Sequence, residues 1–255
     1  MTNTKFVWFL TVLMIIQTAF FSGCAEKGIE SEEDKSEIVN ASQAECLESS
    51  ITESTSSEEE VSEPKSDVIS SLAEKNYLLP LDVFSRERKY DPEFVMIHFT
   101  SAVVLSKNDP YNEELVRGIF TDYEVSVHYI IDRNGKIECY VPEELVAYHA
   151  GRGEWNNDEK YTNKLNDYAI GIEIMAIGSQ SDMSQYMSAS EYNNLNPEFI
   201  GYTDAQYDSL KLLVKDICNR NSIPMDRQHI IGHEEYSSAK TDPGELFDWD
   251  RLLSE

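Results

Sequence analysis

Positive charge is scarce in this chain. Its 255 residues carry 21 Lys and Arg against 47 Asp and Glu, a formal net charge of −26. That balance argues against nucleic acid as a partner, because phosphate binding needs clustered Lys and Arg. Cysteine is sparse as well: four residues, at positions 24, 46, 139 and 218, with no Cys-x-x-Cys pair among them. A thiolate zinc knuckle is therefore unavailable. The five histidines include no His-Glu-x-x-His helix motif, which weakens the case for a zinc peptidase. No internal repeat is visible. The longest apolar run, Phe6 to Phe21, falls short of the roughly 20 apolar residues that a membrane-spanning helix needs.

That run follows Lys5 and is closed by Ser22-Gly23-Cys24. A positive residue, an apolar core and small residues before a cut site describe a secretory signal over residues 1–24. Its ending resembles the lipobox of bacterial lipoproteins, with Phe21 where that family usually has an aliphatic residue. The resemblance implies that Cys24 is lipidated and becomes the mature N-terminus, anchored in a lipid bilayer on the extracytoplasmic side. An uncleaved anchor, or an ordinary signal with an incidental cysteine, would also send the domain across the membrane. From Ala25 to about Asp67 the chain is rich in Glu and Ser and has no aromatic residue. Such a stretch buries too little apolar surface to offset its ordering entropy. A disordered acidic tether is expected over 25–74, and one folded domain over 75–255. Its charge keeps the tether extended and away from anionic surfaces, although solubility alone accounts for it equally well.

Within the domain, β-branched and aromatic runs predict strands at Phe94–Thr100, Val125–Asp132, Lys136–Val141, Ile170–Ala176 and His229–Gly232. Asn134-Gly135 between two of them predicts a hairpin. Tyr207, Leu210, Val214 and Ile217 form one stripe of a helix from Thr203 to Asn219, and Thr203 with Gln206 fits a capping box. Glu113–Phe120 and Glu245–Leu253 are shorter helix candidates, and the polar stretch Gly178–Ile200 reads as a surface loop. Interleaved strands and helices with one hairpin give an α/β or α+β class, a central mixed sheet flanked by helices. Cys139 lies in a strand-like run and Cys218 in a helical one, so buried free thiols are the default, with a disulfide as the alternative.

Three side chains suggest a metal site. Strand alternation puts Met96, His98 and Thr100 on one face and Ile97 and Phe99 on the other. His233 closes a later strand-like run, and Asp242 follows in Lys240-Thr241-Asp242-Pro243-Gly244. Two histidines and a carboxylate leave the fourth position of a tetrahedral zinc open, as catalytic zinc requires. His229 competes with His233 on spacing alone. In Ile170-Gly171-Ile172-Glu173-Ile174 the isoleucines share one face, so Glu173 points the other way. It is either a general base in a cleft or a solvent-facing glutamate of an edge strand.

The ordered set Ile97-His98-Phe99-Thr100, Val125-Ser126-Val127-His128-Tyr129, Ala147-Tyr148-His149-Ala150-Gly151, Asn166 to Glu173, Tyr202 to Tyr207, and Gly232-His233 with Lys240 to Gly244 resembles the type 2 N-acetylmuramoyl-L-alanine amidases. Their relatives include phage lysozyme-type amidases and peptidoglycan recognition proteins. The resemblance implies Zn2+ held by His98, His233 and Asp242, which selects His233 over His229. It also implies Glu173 acting on the water and Lys240 on the oxyanion. Phage-type relatives carry a tyrosine where this chain has Val127, which favours the Glu173 route. His128 and His149 are implied to line the substrate groove or brace the site. The expected function is hydrolysis of the bond between N-acetylmuramic acid and L-alanine in peptidoglycan or muropeptides, by a monomer. A non-catalytic peptidoglycan-binding protein is the alternative, against which all three ligands, Glu173 and Lys240 are present.

Overall fold

A computed structural model of the chain describes residues 69–75 and 79–254. The signal over 1–24, Cys24, Cys46 and the tether up to residue 68 lie outside the described residues. The alternating runs Phe94–Thr100 (β2) and Ala169–Met175 (β6) form the centre of a five-stranded sheet. Tyr129–Ile131 (β3) and Ile137–Cys139 (β4) extend it on one side, and Ile230–Gly232 (β7) flanks β2 on the other. The order is β4-β3-β6-β2-β7, with β4 antiparallel to β3 and every other pairing parallel. This is the mixed sheet expected from the sequence. Ser85–Glu87 (β1) and Leu145–Ala147 (β5), two strands too short to leave a pattern, pair antiparallel in a small sheet of their own.

Helix placement decides which sheet face carries chemistry. The short helix Leu81–Phe84 (α1) and the helix Glu113–Asp122 (α2) come first, then Ala189–Asn193 (α3) and the long Asp204–Asn221 (α4). His233–Tyr236 (α5) and Trp249–Leu253 (α6) complete the set. Thr203 and Gln206 cap α4 reciprocally, as the sequence predicts. Leu210, Val214 and Ile217 of α4 pack on Val95, Ile97, Ile170, Ile172, Ile174 and Ile230. The isoleucine face of β6 is thus spent on the core, and the face bearing His98, Gly171 and Glu173 is left for the site. Cys139 and Cys218 are both buried in that same core, and neither is in a disulfide.

Several boundaries differ from expectation for local reasons. The strand expected over Val125–Asp132 shortens to Tyr129–Ile131, where Gly171 gives its N–H to the Nδ1 of His128 at 3.0 Å rather than to a strand carbonyl. The Asn134-Gly135 turn forms, and Gly135 (φ +84°) is needed there because a Cβ would lie 2.5 Å from the Ala205 carbonyl. The last helix starts at Trp249 instead of Glu245, capped by Asp248, because the chain at 245 is tied to Asp182. Residues 69–74, assigned to the tether on composition, lie on the domain. The Ser70 N–H donates to the Tyr129 hydroxyl (2.8 Å), and Glu74 pairs with the strand β4 at Glu138. The stretch Gly178–Ile200 is not a plain surface loop. It contains α3 and two 3-10 turns and buries Met183, Met187, Tyr192 and Leu195 against Val103 and Ile177. Among the described residues, no helix is long and apolar enough to cross a membrane.

Candidate metal centre

Parallel pairing of β2 with β6 sets His98 directly opposite Glu173. On the other side β7 ends at Gly232, so His233 opens α5 one step beyond β2's neighbour. The loop after α5 returns, and the Glu234 N–H donates to the Asp242 carbonyl at 2.9 Å. These constraints converge three donor atoms. His98 Nδ1 lies 2.8 Å from Asp242 Oδ2 and 3.0 Å from His233 Nδ1, and His233 Nδ1 lies 3.0 Å from Asp242 Oδ2. Donors about 2.0–2.1 Å from a tetrahedral zinc stand about 3.3 Å apart, so the triangle needs only slight expansion to accept the ion. Among the described residues it is the only set of three such side chains close enough to hold a metal.

The outer nitrogens fix the inner ones. His233 Nε2 lies 3.0 Å from the Ala150 carbonyl and so carries the proton. His98 Nε2 meets His149 Nδ1 at 3.1 Å and, assigned as donor, leaves the His98 Nδ1 lone pair facing the triangle. Burial, reinforced by His233, pulls the His98 pKa down to about 4, so its ring is neutral at physiological pH. Burial pushes the Asp242 carboxyl up, but the two histidines outweigh it and hold the group well below the usual carboxylate range. A neutral His98 ring and an ionised Asp242 carboxylate are protonation states a zinc site requires.

Behind the triangle stands a supporting layer. Asn166 Oδ1 accepts the N–H groups of His149 (2.9 Å) and Ala150 (2.7 Å), fixing the segment that braces both histidines. The His149 ring rests on Gly171, where a Cβ would come within 2.6 Å of its Cγ. His149 Nε2 is buried with no hydrogen-bond partner. His128 does not line a groove. It is fully buried, with Nδ1 accepting from Gly171 and Nε2 directed at the Leu145 carbonyl (3.2 Å), so no ring atom remains for a substrate. Arg88 lies against it, 3.0 Å away, and donates to the carbonyls of Glu143, Leu145, Asp167 and Ala169. Burial and then the Arg88 charge hold the His128 ring well below its ordinary pKa. Arg88 leaves no signal in Ser85-Arg86-Glu87-Arg88-Lys89, since a buried arginine there looks like any surface charge.

Glu173 stands on a central strand, which removes the solvent-facing edge-strand alternative. Its Oε2 is buried without a partner. Burial, with the Asp242 charge adding to it and Lys240 opposing, raises its pKa well above the ordinary value. Lys240 is exposed, and its charge acts on both Glu173 and His98. His229 is outside the cluster, its Nδ1 paired with Asp226 at 2.7 Å.

A mixed sheet that brings three possible metal donors together beside a glutamate with one buried, unpartnered oxygen has the layout of a hydrolase site. The chain belongs to the N-acetylmuramoyl-L-alanine amidase family, whose model matches residues 88–245. It is similar to the 1,6-anhydro-N-acetylmuramyl-L-alanine amidase AmpD of Haemophilus influenzae, 35% identical over 58% of this chain and 65% of that protein. The Escherichia coli AmpD is 31% identical over 50% of this chain and 56% of its own length. This chain therefore spans less than two thirds of those relatives. Among solved structures, the E. coli N-acetylmuramyl-L-alanine amidase AmiD, in complex with an anhydro-N-acetylmuramic acid peptide, is similar with a TM-score of 0.47 and 27% identity. That match covers 63% of this chain and 56% of AmiD.

Proposed function

We propose that this protein is a zinc-dependent N-acetylmuramoyl-L-alanine amidase. The bond cut is the amide joining the lactyl carbonyl of N-acetylmuramic acid to the amine of L-alanine in the stem peptide. One observation carries the reading: three converging donors of His98, His233 and Asp242 beside a buried glutamate oxygen that has no partner. Zinc held by these donors supplies Lewis-acid polarisation of the scissile carbonyl and acidifies water. Glu173, whose Oε2 is buried beside the three donors with no partner of its own, takes the proton from the attacking water and delivers it to the leaving amine. Lys240 offsets negative charge on the lactyl carbonyl oxygen as that carbon becomes tetrahedral. Asn166 and His149 hold the metal-binding rings in place throughout. The products are a lactyl carboxylate and a peptide with a free L-alanine amine.

The names of the AmpD relatives point to 1,6-anhydro-N-acetylmuramyl peptides as the substrate form. The signal-like leader and Ser22-Gly23-Cys24 support an extracytoplasmic protein anchored in the bilayer by lipid on Cys24. Incubated with muropeptides, the zinc-loaded protein should release L-alanine amino termini and no reducing sugar. A protein that binds muropeptides but neither holds zinc nor cuts them would overturn the enzyme reading. Palmitate labelling of the whole chain should vanish in Cys24→Ala; labelling that persists would sink the anchor.

A further inference from the structure

Of the three donors, Asp242 has the least regular support. His98 stands on the central strand β2 and His233 opens α5 directly after β7, whereas Asp242 lies in a stretch, 237–248, with no helix or strand. Hydrogen bonds from outside must set its position. The Asp242 and Pro243 carbonyls accept from the Glu234 N–H (2.9 Å) and the Tyr202 hydroxyl (2.6 Å). One distant residue grips the loop on both sides of the ligand. Asp182 starts the 3-10 turn Asp182–Gln185 beyond β6 and is buried. Its carbonyl accepts from the Thr241 hydroxyl at 3.2 Å, immediately before Asp242. Its Oδ2 accepts the Glu245 N–H at 3.2 Å, just after Gly244.

The Asp182 carboxyl is itself held. The same Oδ2 accepts the Ser179 N–H at 2.8 Å, and the Asp182 N–H donates to the Ser179 hydroxyl at 3.2 Å. Two glycines make room for it. A Cβ at Gly244 would stand 2.4 Å from Asp182 Oδ2, and one at Gly178 would stand 2.8 Å from the Asp182 Cβ. The turn is also anchored independently of the loop. Met183, next to Asp182, is buried with Met187, Tyr192 and Leu195 against Val103 and Ile177, and Phe99, the neighbour of His98 on β2, packs against the same cluster.

We infer that Asp182 is a positioning residue of the metal centre, holding the 241–245 loop so that Asp242 Oδ2 closes the triangle with His98 and His233. The inference rests on the zinc reading of that triangle. It extends the supporting layer to a segment that carries no donor of its own. Orienting groups of this kind act through the ligand, so their removal is felt first in metal affinity.

The test compares full-length wild type with Asp182→Ala, Asp182→Asn and Leu195→Ala. Zinc affinity is read by chelator competition, stability by Tm, and the hold on the loop by hydrogen exchange at the Glu245 N–H in the metal-free proteins. Asp182→Ala should weaken zinc binding by about 10–100-fold. Its Glu245 N–H, stripped of an acceptor, should exchange about tenfold faster. Asparagine keeps an oxygen acceptor in the same shape, so Asp182→Asn should bind zinc within about threefold of wild type. Leu195→Ala empties part of the same segment's core and should lower Tm while zinc affinity stays within about threefold. Wild-type zinc affinity in Asp182→Ala, or an equal loss in Leu195→Ala, would overturn the inference. A wild type that takes up no zinc fails the zinc reading instead. The exchange measurement then decides: a faster Glu245 N–H in Asp182→Ala upholds the grip on the loop, and an unchanged rate overturns it.

Discussion

Adding one methyl group at Gly171 should cost metal affinity at a site that Gly171 does not touch. A Cβ there would stand 2.6, 2.7 and 2.8 Å from Cγ, Nδ1 and Cδ2 of His149. Ordinary carbon contacts lie at about 3.5–4.0 Å, so the ring must retreat by roughly 1 Å. It has little room, being packed edge-on to both His98 and His128, with ring centroids at 5.2 and 5.6 Å. Retreat breaks the 3.1 Å contact between His149 Nδ1 and His98 Nε2, which holds the lone pair of His98 Nδ1 towards the metal. Loss of such a supporting partner typically weakens metal binding by about 10–100-fold. Overpacking itself costs about 1–3 kcal/mol, so Tm should fall as well. Zinc affinity is read by chelator competition in Gly171→Ala, His149→Ala and the double variant. In the double variant the clash is gone, so it should bind zinc no worse than His149→Ala alone. Wild-type affinity and Tm in Gly171→Ala, or losses that simply add, would refute the reasoning.

Two further outcomes follow from the charges around the centre. Lys240→Ala should keep its zinc and lose about a hundredfold in kcat, with Lys240→Arg retaining part of the activity; full activity in Lys240→Ala removes it from the reaction. Glu234, whose Oε2 is buried without a partner, has its carboxyl lifted from 4.5 to about 8 by burial and then by the Glu235 charge. The folded state then holds a proton that the unfolded chain releases above about pH 4.5, so stability falls as pH rises to about 8 and levels off beyond. In the metal-free protein, Tm between pH 5 and 8 should decline less steeply in Glu234→Gln than in wild type, with a residual slope from Glu173. Parallel curves would contradict the assignment.

The direction of each strand side chain was legible; what lay beside it was not. Alternation in Ile170-Gly171-Ile172-Glu173-Ile174 gives the core face and the acid face, because a two-residue period is local. That His98 is the register partner of Glu173 depends on parallel pairing across seventy-odd residues, and local pattern carries no such information. The capping box at Thr203 and Gln206 was readable for the same local reason. His128 shows the opposite case. A histidine in an apolar run looks available, and only the fold reveals that Gly171 and Leu145 occupy both of its nitrogens. Arg88 and Asp182 were hidden because burial turns ordinary surface residue types into scaffolding. The small core within Gly178–Ile200 was hidden because its anchors Met183, Met187, Tyr192 and Leu195 are spread through polar sequence without a period.

If Glu173 works on a metal held by His98, His233 and Asp242, its removal should stop cleavage without releasing the ion. The direct test loads wild type and Glu173→Gln with zinc, measures the metal in both, and follows an anhydromuramyl tripeptide by mass spectrometry. Both proteins should hold about one zinc. Wild type should yield the free sugar lactyl acid and a peptide beginning at L-alanine, while Glu173→Gln leaves the substrate intact or cuts it at least about a hundredfold more slowly. Cleavage by Glu173→Gln at the wild-type rate, or a zinc-loaded wild type that leaves the amide whole, would contradict the account.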